Sequence, residues 1–404
     1  MRRGVVFFGL AGLLGAGFVL TGGAVAQAST GGTAAACGPV GSGYARCFTQ
    51  LLLNPGSWRG GHVVAGKSRS ASTSTISGYY PSDLQNAYGL SSVSATNGTG
   101  MTVAIADAYN NPDLASNLAT YRSTFGLPPC TVASGCLTIV NQSGGAKLPR
   151  GNKGWGTEES LDLQMVSAIC PNCKILLVEA ASASFKNLGI AAAYAAKHAP
   201  VVSNSYGGSE FSGEASYNGY YSAPGTTFVA SAGDNGYGVE FPAAAPSVVG
   251  AGGTTLVPSA TTTRGWTETV WSGSGSGCSA YEPNPGWQPV TSLCSNRTVA
   301  DVSADANPNT GVAIYDSYGQ SGWLVVGGTS VASPVVASVF ALAGNDFGPS
   351  AAQQLYGSAA SLYKVTTGSN SSGCADYLCN AADSLSGGYN GPTGNGTPDG
   401  IAAF

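Results

Sequence analysis

Residues 174–179 (KILLVE) form a short apolar run that is typical of a buried strand, and the Ala-rich stretch 185–199 that follows is typical of a helix. The same alternation occurs on both sides of this unit. Residues 101–107 (MTVAIAD) and 226–231 (TTFVAS) also indicate strands, and residues 158–169 have helical periodicity. Short apolar strands that alternate with helices favour a parallel sheet covered by helices on both faces, so the sequence predicts an α/β fold.

The composition excludes several classes of function. The chain has 404 residues, of which 43% are hydrophobic and only 9% are charged, and its net charge is −4. Nucleic-acid binding depends on clustered Lys and Arg side chains that neutralise phosphates, and attachment to anionic lipids needs a polybasic segment. We therefore expect neither nucleic acid nor a membrane surface as a partner.

The N-terminus has the order of residues of a secretory signal peptide. Positive charges at Arg2 and Arg3 precede the apolar run 5–20, and small residues follow over 24–28 (AVAQA). A membrane anchor is the alternative, but the run is shorter than the about 20 residues that a spanning helix needs. We predict a signal peptide over 1–28 and a secreted, extracellular protein that has no membrane segment after its removal.

The rest of the chain divides by composition. Residues 29–76 are rich in Gly, Ser and Ala, which predicts a linker or a short pro-segment. A single large domain is predicted over 77–404. Within it, the Gly-, Ser- and Thr-rich segment 260–300 predicts irregular structure.

Ten cysteines follow the predicted cleavage site, and an even number in an exported chain indicates disulfides. Connectivity cannot be deduced from sequence, but the short spacings favour five neighbouring pairs. These pairs are 37–47, 130–136, 170–173, 278–294 and 374–379. A redox-active Cys170-Pro-Asn-Cys173 is the alternative for one pair. A zinc site is disfavoured because the chain has only two histidines.

The stretch 327–334 (GGTSVASP) predicts a nucleophile. Two glycines permit a tight turn, and Ser330 then lies at the head of a helix, where free backbone N–H groups favour developing negative charge. The pattern G-T-S-x-A-x-P is the serine motif of subtilisin-like proteases. A serine that only caps the helix is the alternative. Pro334 is expected in the first turn of that helix, where proline is tolerated.

A serine nucleophile needs a base, and neither histidine has the sequence context of a catalytic one. Glu158 and Asp162 are four residues apart on the predicted helix and so share one face. Two carboxyl groups at that distance couple, and the pKa of one should rise. Glu159 is the other candidate for the base. The alternative interpretation of these carboxyl groups is a solvated, charged helix N-terminus without a catalytic role.

Asp234 lies where the strand 226–231 meets the turn 232–236 (AGDNG). A protonated carboxyl group at that point can donate a hydrogen bond to an oxyanion. The alternative is an aspartate that only stabilises its own turn.

Taken together, these residues resemble the sedolisin family of serine-carboxyl peptidases, which have a subtilisin-like fold, from about Tyr79 to Phe404. The landmarks are 102–107 (TVAIAD), Glu158 with Asp162, 203–208 (SNSYGG), 231–234 (SAGD), 252–254 (GGT), 271–275 (WSGSG), 301–305 (DVSAD) and 328–330 (GTS). The resemblance implies a single large catalytic domain, a subtilisin-like parallel sheet with helices on both faces, and a secreted serine-type endopeptidase that is active at acidic pH.

The resemblance also implies individual roles. Ser330 would be the nucleophile, Glu158 the base, Asp162 its orienting partner and Asp234 the oxyanion acid. Ser205, Tyr206, Gly207 and the segment after Trp271 would line the substrate cleft. The expected partner is a protein or peptide substrate, and a monomer is expected. Asp107 is interpreted as structural.

Two departures from the family leave an alternative open. Only about fifty residues separate the signal from the catalytic region, where the family carries a large pro-domain. Lys364 and Asn390 stand where the family has the two aspartates of a calcium site, so no metal or other cofactor is expected. These differences keep a catalytically silent, secreted binding protein on a subtilisin-like fold as the second hypothesis.

Overall fold

A computed structural model describes Met1 and residues 32–62, 76–345 and 348–404. The predicted signal peptide therefore lies outside the described residues, apart from Met1. The helices are α1 Pro81–Ala87, α2 Ser91–Thr96, α3 Leu114–Thr124, α4 Lys153–Ile169, α5 Phe185–Ala195, α6 Thr329–Ala343 and α7 Ala351–Gly357. The strands are β1 Thr33–Ala35, β2 Arg46–Cys47, β3 Gln50–Leu52, β4 Thr102–Ala108, β5 Leu137–Asn141, β6 Lys174–Ala180, β7 Val201–Asn204, β8 Tyr206–Ser209, β9 Thr227–Ser231, β10 Glu240–Phe241, β11 Val248–Pro258, β12 Trp266–Val270, β13 Gly277–Pro283, β14 Asn296–Val299, β15 Val302–Asp305, β16 Val312–Asp316, β17 Gly322–Gly327, β18 Leu362–Tyr363 and β19 Thr397–Pro398.

The central sheet has eight strands in the order β12-β11-β9-β7-β4-β6-β5, with β15 also paired to β11. Every pairing in it is parallel except that of β11 with β12. The carboxyl ends of parallel strands meet at one edge of a sheet, where loops can place side chains together. Strand β9 ends at this edge three positions before Asp234, and β7 ends there directly before Ser205.

Helices cover both faces of the sheet, as the sequence predicts. Helices α4 and α6 pack against each other on one face, and α6 also contacts β7, β9, β11 and β15. Helix α5 packs on β4 and β6 from the other face. Each face has its own apolar core, one centred on the aliphatic residues of α4 and α6 and the other on the Ala-rich face of α5. The predicted α/β fold is confirmed.

Three local predictions need correction. Helix α4 begins at Lys153, because the Asn152 side chain accepts a hydrogen bond from the Trp155 N–H at 3.1 Å and caps the helix there. Pro334 lies in the second turn of α6 rather than the first, so the Ser330 carbonyl lacks its helical donor. Segment 260–300 contains β12, β13 and β14, and β13 pairs with β14 in a hairpin that the sequence reasoning missed.

The N-terminal segment, residues 32–62, is packed into the same structure. Strand β3 pairs antiparallel with β1 and with β17, and β2 pairs antiparallel with β8. The linker interpretation does not describe these residues, because β2 and β3 form backbone hydrogen bonds with strands of the main domain.

All five predicted disulfide pairs are present: 37–47, 130–136, 170–173, 278–294 and 374–379. Among the described residues, no single helix is long and apolar enough to span a membrane. Helix α6 and the segment Gly348–Gly357 are together long and apolar enough to span a membrane, but the chain is strongly bent between them. Helix α6 is also buried in the core.

Candidate active site

Ser330 is the second residue of α6 and is fully buried. The preceding Gly328 has a φ of 97°, which glycine adopts without strain, and this residue turns the chain from β17 into the helix. The Ser330 hydroxyl donates to the carbonyl of Ser205 at 3.3 Å. Ser330 therefore stands at a helix N-terminus, where the free backbone N–H groups favour negative charge.

Glu158 lies on α4, and its carboxyl group reaches the side chain of Ser330. Its Oε2 accepts hydrogen bonds from the Thr49 N–H and hydroxyl, each at 2.8 Å. Burial raises the pKa of Glu158 to about 8, although the hydroxyl of Ser330 and the donors of Thr49 lower it. Burial, and after it the negative charge of Glu179, raises the pKa of the neighbouring Glu159 well above its ordinary value. Position therefore favours Glu158 over Glu159 as the partner of Ser330.

Asp234 is held by the first residue of α6. Its Oδ1 accepts from the Thr329 N–H and hydroxyl, each at 2.8 Å, and its Oδ2 accepts from the Gln50 amide at 3.1 Å. Burial raises the pKa of Asp234 to about 6 against the lowering effect of these hydrogen bonds. A Cβ added to Gly328 would lie 2.7 Å from Asp234 Oδ2, so this carboxyl group faces the turn that leads to Ser330.

Ser205 connects Asp162 to the helix of Ser330. Its hydroxyl donates to Asp162 Oδ1 at 2.8 Å and lies 3.5 Å from the Ser330 carbonyl, which Pro334 leaves without a helical donor. The side chain of Ser205 is fully buried behind the site. Any contact of Ser205 with a substrate would therefore be made by its backbone.

Tyr206 and Gly207, the other two predicted cleft residues, belong to β8. The Tyr206 side chain is fully buried, and its hydroxyl donates to the Asn204 side chain at 2.9 Å. The backbones of Tyr206 and Gly207 pair with β2 of the N-terminal segment. These two residues therefore present a strand edge rather than side chains.

A second group of buried carboxyl groups lies behind Glu158, and the sequence reasoning did not recognise it. Burial, and after it the negative charges of Glu158 and Glu159, raises the pKa of Asp107 on β4. Burial, and after it the charge of Asp107, raises the pKa of Asp162. Glu179 lies opposite Asp107 in the β4–β6 register. None of the four carboxyl oxygens of Asp107 and Glu179 has a hydrogen-bond partner in the described part of the chain. Alternation of apolar residues could not reveal this group, because β4 and β6 are buried on both faces.

Burial raises the pKa of each of these groups: well above the ordinary range for Asp107, Glu159 and Asp162, and to about 8 for Glu179. An isolated buried carboxylate costs so much solvation energy that the group binds a proton instead. The electrostatics therefore favour a site whose carboxyl groups are mostly neutral below neutral pH.

The two histidines lie elsewhere. His62 bonds Asp83 at 2.7 Å, and His198 bonds the Tyr194 carbonyl at 2.9 Å. Among the described residues, the hydrogen-bond partners of Ser330 include no imidazole.

The comparisons with known proteins agree with this geometry. The model of the subtilase family matches residues 98–376, which is more than half of the chain. In structure, the chain resembles sedolisin of Pseudomonas, a serine-carboxyl proteinase solved with two molecules of pseudo-iodotyrostatin, with a TM-score of 0.66 and 26% identity. That match covers 81% of this chain and 96% of the sedolisin chain.

Three curated relatives are similar in sequence. Kumamolisin of Bacillus sp. (strain MN-32) is 33% identical over 65% of this chain, and sedolisin of Pseudomonas sp. (strain 101) is 38% identical over 30% of it. Xanthomonalisin of Xanthomonas sp. (strain T-22) is 28% identical over 66% of this chain. The matched regions cover 51%, 24% and 38% of these relatives, so the chain spans about half of their length or less.

The chain belongs to the subtilase family. Within that family, its similarity to kumamolisin, sedolisin and xanthomonalisin assigns it to the sedolisins, and the resemblance inferred from the sequence is confirmed.

The buried carboxyl groups predict how stability depends on pH. A group whose pKa is raised on folding stabilises the fold below its unfolded pKa, and this contribution is lost as the pH rises through the folded value. Glu179 has a folded pKa of about 8. An exposed glutamate has a pKa of about 4.3, so the free energy of unfolding should fall steadily between about pH 5 and pH 8. Thermal unfolding of the Ser330→Ala protein across this pH range measures this fall.

Glu179→Gln removes one of the titrating groups and should make the fall smaller. The control is Glu210→Gln, a half-buried glutamate that accepts a hydrogen bond from the Ala280 N–H at 3.0 Å. A melting temperature that rises from pH 5 to pH 8, or an equal fall in Glu179→Gln and the parent, would contradict the prediction.

Proposed function

We propose that this chain is a serine-carboxyl endopeptidase that hydrolyses protein or peptide substrates at acidic pH. The observation that carries the proposal is the convergence of Glu158 and Asp234 on the N-terminus of α6, where Ser330 lies. A hydroxyl, a base and a neutral hydrogen-bond donor at one point are the groups that acyl transfer requires.

In the proposed mechanism, Ser330 Oγ attacks the carbonyl carbon of the substrate while Glu158 accepts the serine proton. Asp162 lies on the next turn of α4 and orients Glu158. The Ser205 hydroxyl holds Asp162 in place by donating the 2.8 Å hydrogen bond to it. The protonated Asp234 donates a hydrogen bond to the oxyanion. Glu158 then returns the proton to the leaving amine, and water hydrolyses the acyl-enzyme by the reverse sequence.

The upper limit of the active pH range follows from Asp234. Asp234 has to hold its proton in order to donate, and its pKa is about 6. Activity should therefore fall as the pH rises above about 6. Glu158 has to lose its proton in order to act as the base. Its burial, to which Thr49 contributes, raises its pKa to about 8. Water that enters with a substrate would reduce this burial and act to lower the pKa of Glu158, whereas loss of the two hydrogen bonds from Thr49 would act to raise it.

Secretion is the second part of the proposal. Five disulfides are stable in an oxidising, extracellular environment and are rare in the cytosol. The signal-like sequence 1–28 supports the same location.

Hydrolysis of a denatured protein substrate between pH 2.5 and pH 8 tests the proposed activity. Ser330→Ala should lower the rate by at least about 10³-fold, because the nucleophile is lost. Ser338→Ala is the matched control: this serine lies on the same helix and is also buried, but its hydroxyl has no hydrogen-bond partner among the described residues. Equal rates in the wild type and Ser330→Ala would favour the silent binding protein instead.

Asp234→Asn tests the oxyanion acid separately. The amide keeps a donor but cannot ionise, so the variant should be slower at pH 4 yet should not lose activity between pH 6 and pH 8. The same decline above pH 6 in both proteins would show that another group limits activity.

We also propose that calcium is not a cofactor of this chain. The Lys364 ammonium donates to the Asn395 carbonyl at 2.9 Å, and the Asn390 amide donates to the Val365 carbonyl at 3.1 Å. Calcium needs carboxylate and free carbonyl oxygens, so these donors do not fit it. Cys374 and Cys379 lie near Asp376 but form a disulfide, which supplies no thiolate.

The melting temperature should therefore be the same in excess calcium and in excess chelator, since a ligand that does not bind the native state cannot stabilise it. Stoichiometric calcium in the purified protein, or a melting temperature raised by several degrees on adding calcium, would contradict this.

A further inference from the structure

Thr329, the residue before Ser330, binds one oxygen of the Asp234 carboxyl group twice. Its N–H and its hydroxyl both donate to Asp234 Oδ1 at 2.8 Å. The Gly233 N–H donates to the Thr329 hydroxyl oxygen at 3.2 Å. Because that bond uses a lone pair of the hydroxyl oxygen, the hydroxyl hydrogen is left to point at Asp234.

The surroundings of Thr329 hold its side chain in this orientation. Thr329 is the first residue of α6 and is fully buried. Its methyl group faces β11, since a Cβ added to Gly253 would lie 3.4 Å from Thr329 Cγ2. A β-branched side chain has few rotamers, so the packing of the methyl group also fixes the direction of the hydroxyl. The donor to Asp234 Oδ1 is therefore held rigidly.

The two oxygens of the Asp234 carboxyl group have different surroundings. A proton on Oδ1 would face the two donors of Thr329. Oδ2 receives only the Gln50 amide, at 3.1 Å, and a protonated carboxyl oxygen can still accept a hydrogen bond. A Cβ added to Gly328 would lie 2.7 Å from Oδ2, so this oxygen faces the turn that leads to Ser330. The hydrogen bonds therefore favour the proton on Oδ2.

We propose that Thr329 is a positioning residue of the peptidase site: its hydroxyl keeps Asp234 Oδ1 as an acceptor and so directs the proton to Oδ2, which donates it to the oxyanion. The inference rests on the proposed peptidase function. Asp234 shares this proton in a hydrogen bond and keeps it, so no covalent bond forms or breaks in the step. Thr329 acts through Asp234 and not on the substrate.

The same hydroxyl affects the pH at which Asp234 ionises. A donor binds an ionised carboxyl group more strongly than a neutral one, so it lowers the pKa. Burial raises the pKa of Asp234, and the N–H and hydroxyl of Thr329 act against it, which leaves the pKa at about 6. Thr329 thus orients the proton of Asp234 and also makes that proton easier to lose.

Within the described residues, three other charged or titratable side chains face Asp234. Arg46 on β2 lowers the pKa of Asp234, and ionised Asp234 raises the pKa of Glu158 on α4 and of Glu240 on β10. The hydrogen bonds of the Thr329 side chain go to Asp234 and Gly233 instead. A variant without the hydroxyl therefore keeps all three charged neighbours, and a shift in the titration of Asp234 can be assigned to the hydroxyl.

Thr329→Val tests the proposal, because valine keeps the shape of the side chain but has no hydroxyl. Its hydrolysis of a denatured protein substrate should be slower at pH 4 by about 3- to 10-fold, the size expected for one lost hydrogen bond. The upper limit of the active pH range should rise by about one unit, since the lost donor no longer stabilises the ionised form. A residue that only supports the fold would lower the rate by the same factor at every pH.

Two further variants serve as controls. Thr329→Ser keeps the hydroxyl and removes only the methyl group, so it should retain the upper pH limit of the wild type. Thr310→Val removes another buried hydroxyl, which donates to Asp305 Oδ1 at 3.3 Å, and should change neither the rate nor the pH limit. Circular dichroism establishes that each variant is folded. Thr329→Ala, which lacks the same hydroxyl, replaces Thr329→Val if the valine variant does not fold.

A titration that does not depend on activity separates this proposal from the peptidase function. The carbon-13 resonance of Asp234 Cγ, assigned by its loss in Asp234→Asn, is followed by NMR from pH 3 to pH 9 in the Ser330→Ala protein. The midpoint should lie about one unit higher when Thr329→Val is added, and it should stay in place when Thr329→Ser is added.

The outcomes distinguish the two proposals. An active wild type in which Thr329→Val changes neither the midpoint of Asp234 nor the pH limit overturns the role of Thr329 and leaves the peptidase function standing. Equal shifts in Thr329→Val and Thr329→Ser also overturn that role, because the methyl group would then be responsible. A folded wild type that hydrolyses no protein at any pH, although the midpoint shifts as expected, overturns the peptidase function but not the effect of Thr329 on the Asp234 proton.

Discussion

The burial of α4 is the constraint on which the rest of the structure depends. Every residue from Trp155 to Ile169 is buried, so the acidic residues Glu158, Glu159 and Asp162 are cut off from water together with the apolar ones. Among the described residues, no lysine or arginine forms a salt bridge with any of these three. Without water or a cation, a carboxyl group binds a proton more easily than it bears a charge. The packing that builds the core therefore also sets the protonation state of the site.

This constraint connects the fold to the chemistry. A histidine-based site provides a base near neutral pH because imidazole titrates there, whereas the proposed mechanism depends on a carboxyl group whose pKa is raised by burial. The cover over Glu158 is partly the N-terminal segment, because Thr49 supplies the two donors to Glu158 Oε2. The N-terminal segment is therefore part of the surroundings that set the pKa of Glu158.

The sequence predicted what depends on local pattern and short spacing. The alternation of apolar runs located β4 and β6, and the short cysteine spacings gave all five disulfides. The spacing of four positions from Glu158 to Asp162 placed both residues on one helical face. The pairing of β2 with β8 joins residues about 160 positions apart, and that of β3 with β17 joins residues about 275 apart, so no local signal could reveal either. Asp107 is interpreted as structural from the sequence because the chain offers no catalytic histidine for it to orient. A strand pattern could not show that Asp107 lies opposite Glu179 across the sheet.

Infrared spectroscopy of the folded Ser330→Ala protein tests most directly whether burial keeps these carboxyl groups neutral, because protonated carboxyl groups absorb separately from carboxylates. Burial predicts a band of protonated carboxyl groups that persists at pH 7. The band should be weaker in Glu179→Gln, because the Glu179 carboxyl group that this variant removes has a pKa of about 8. A spectrum in which that band has disappeared by pH 5 would contradict it, because every carboxyl group would then ionise as it does in water.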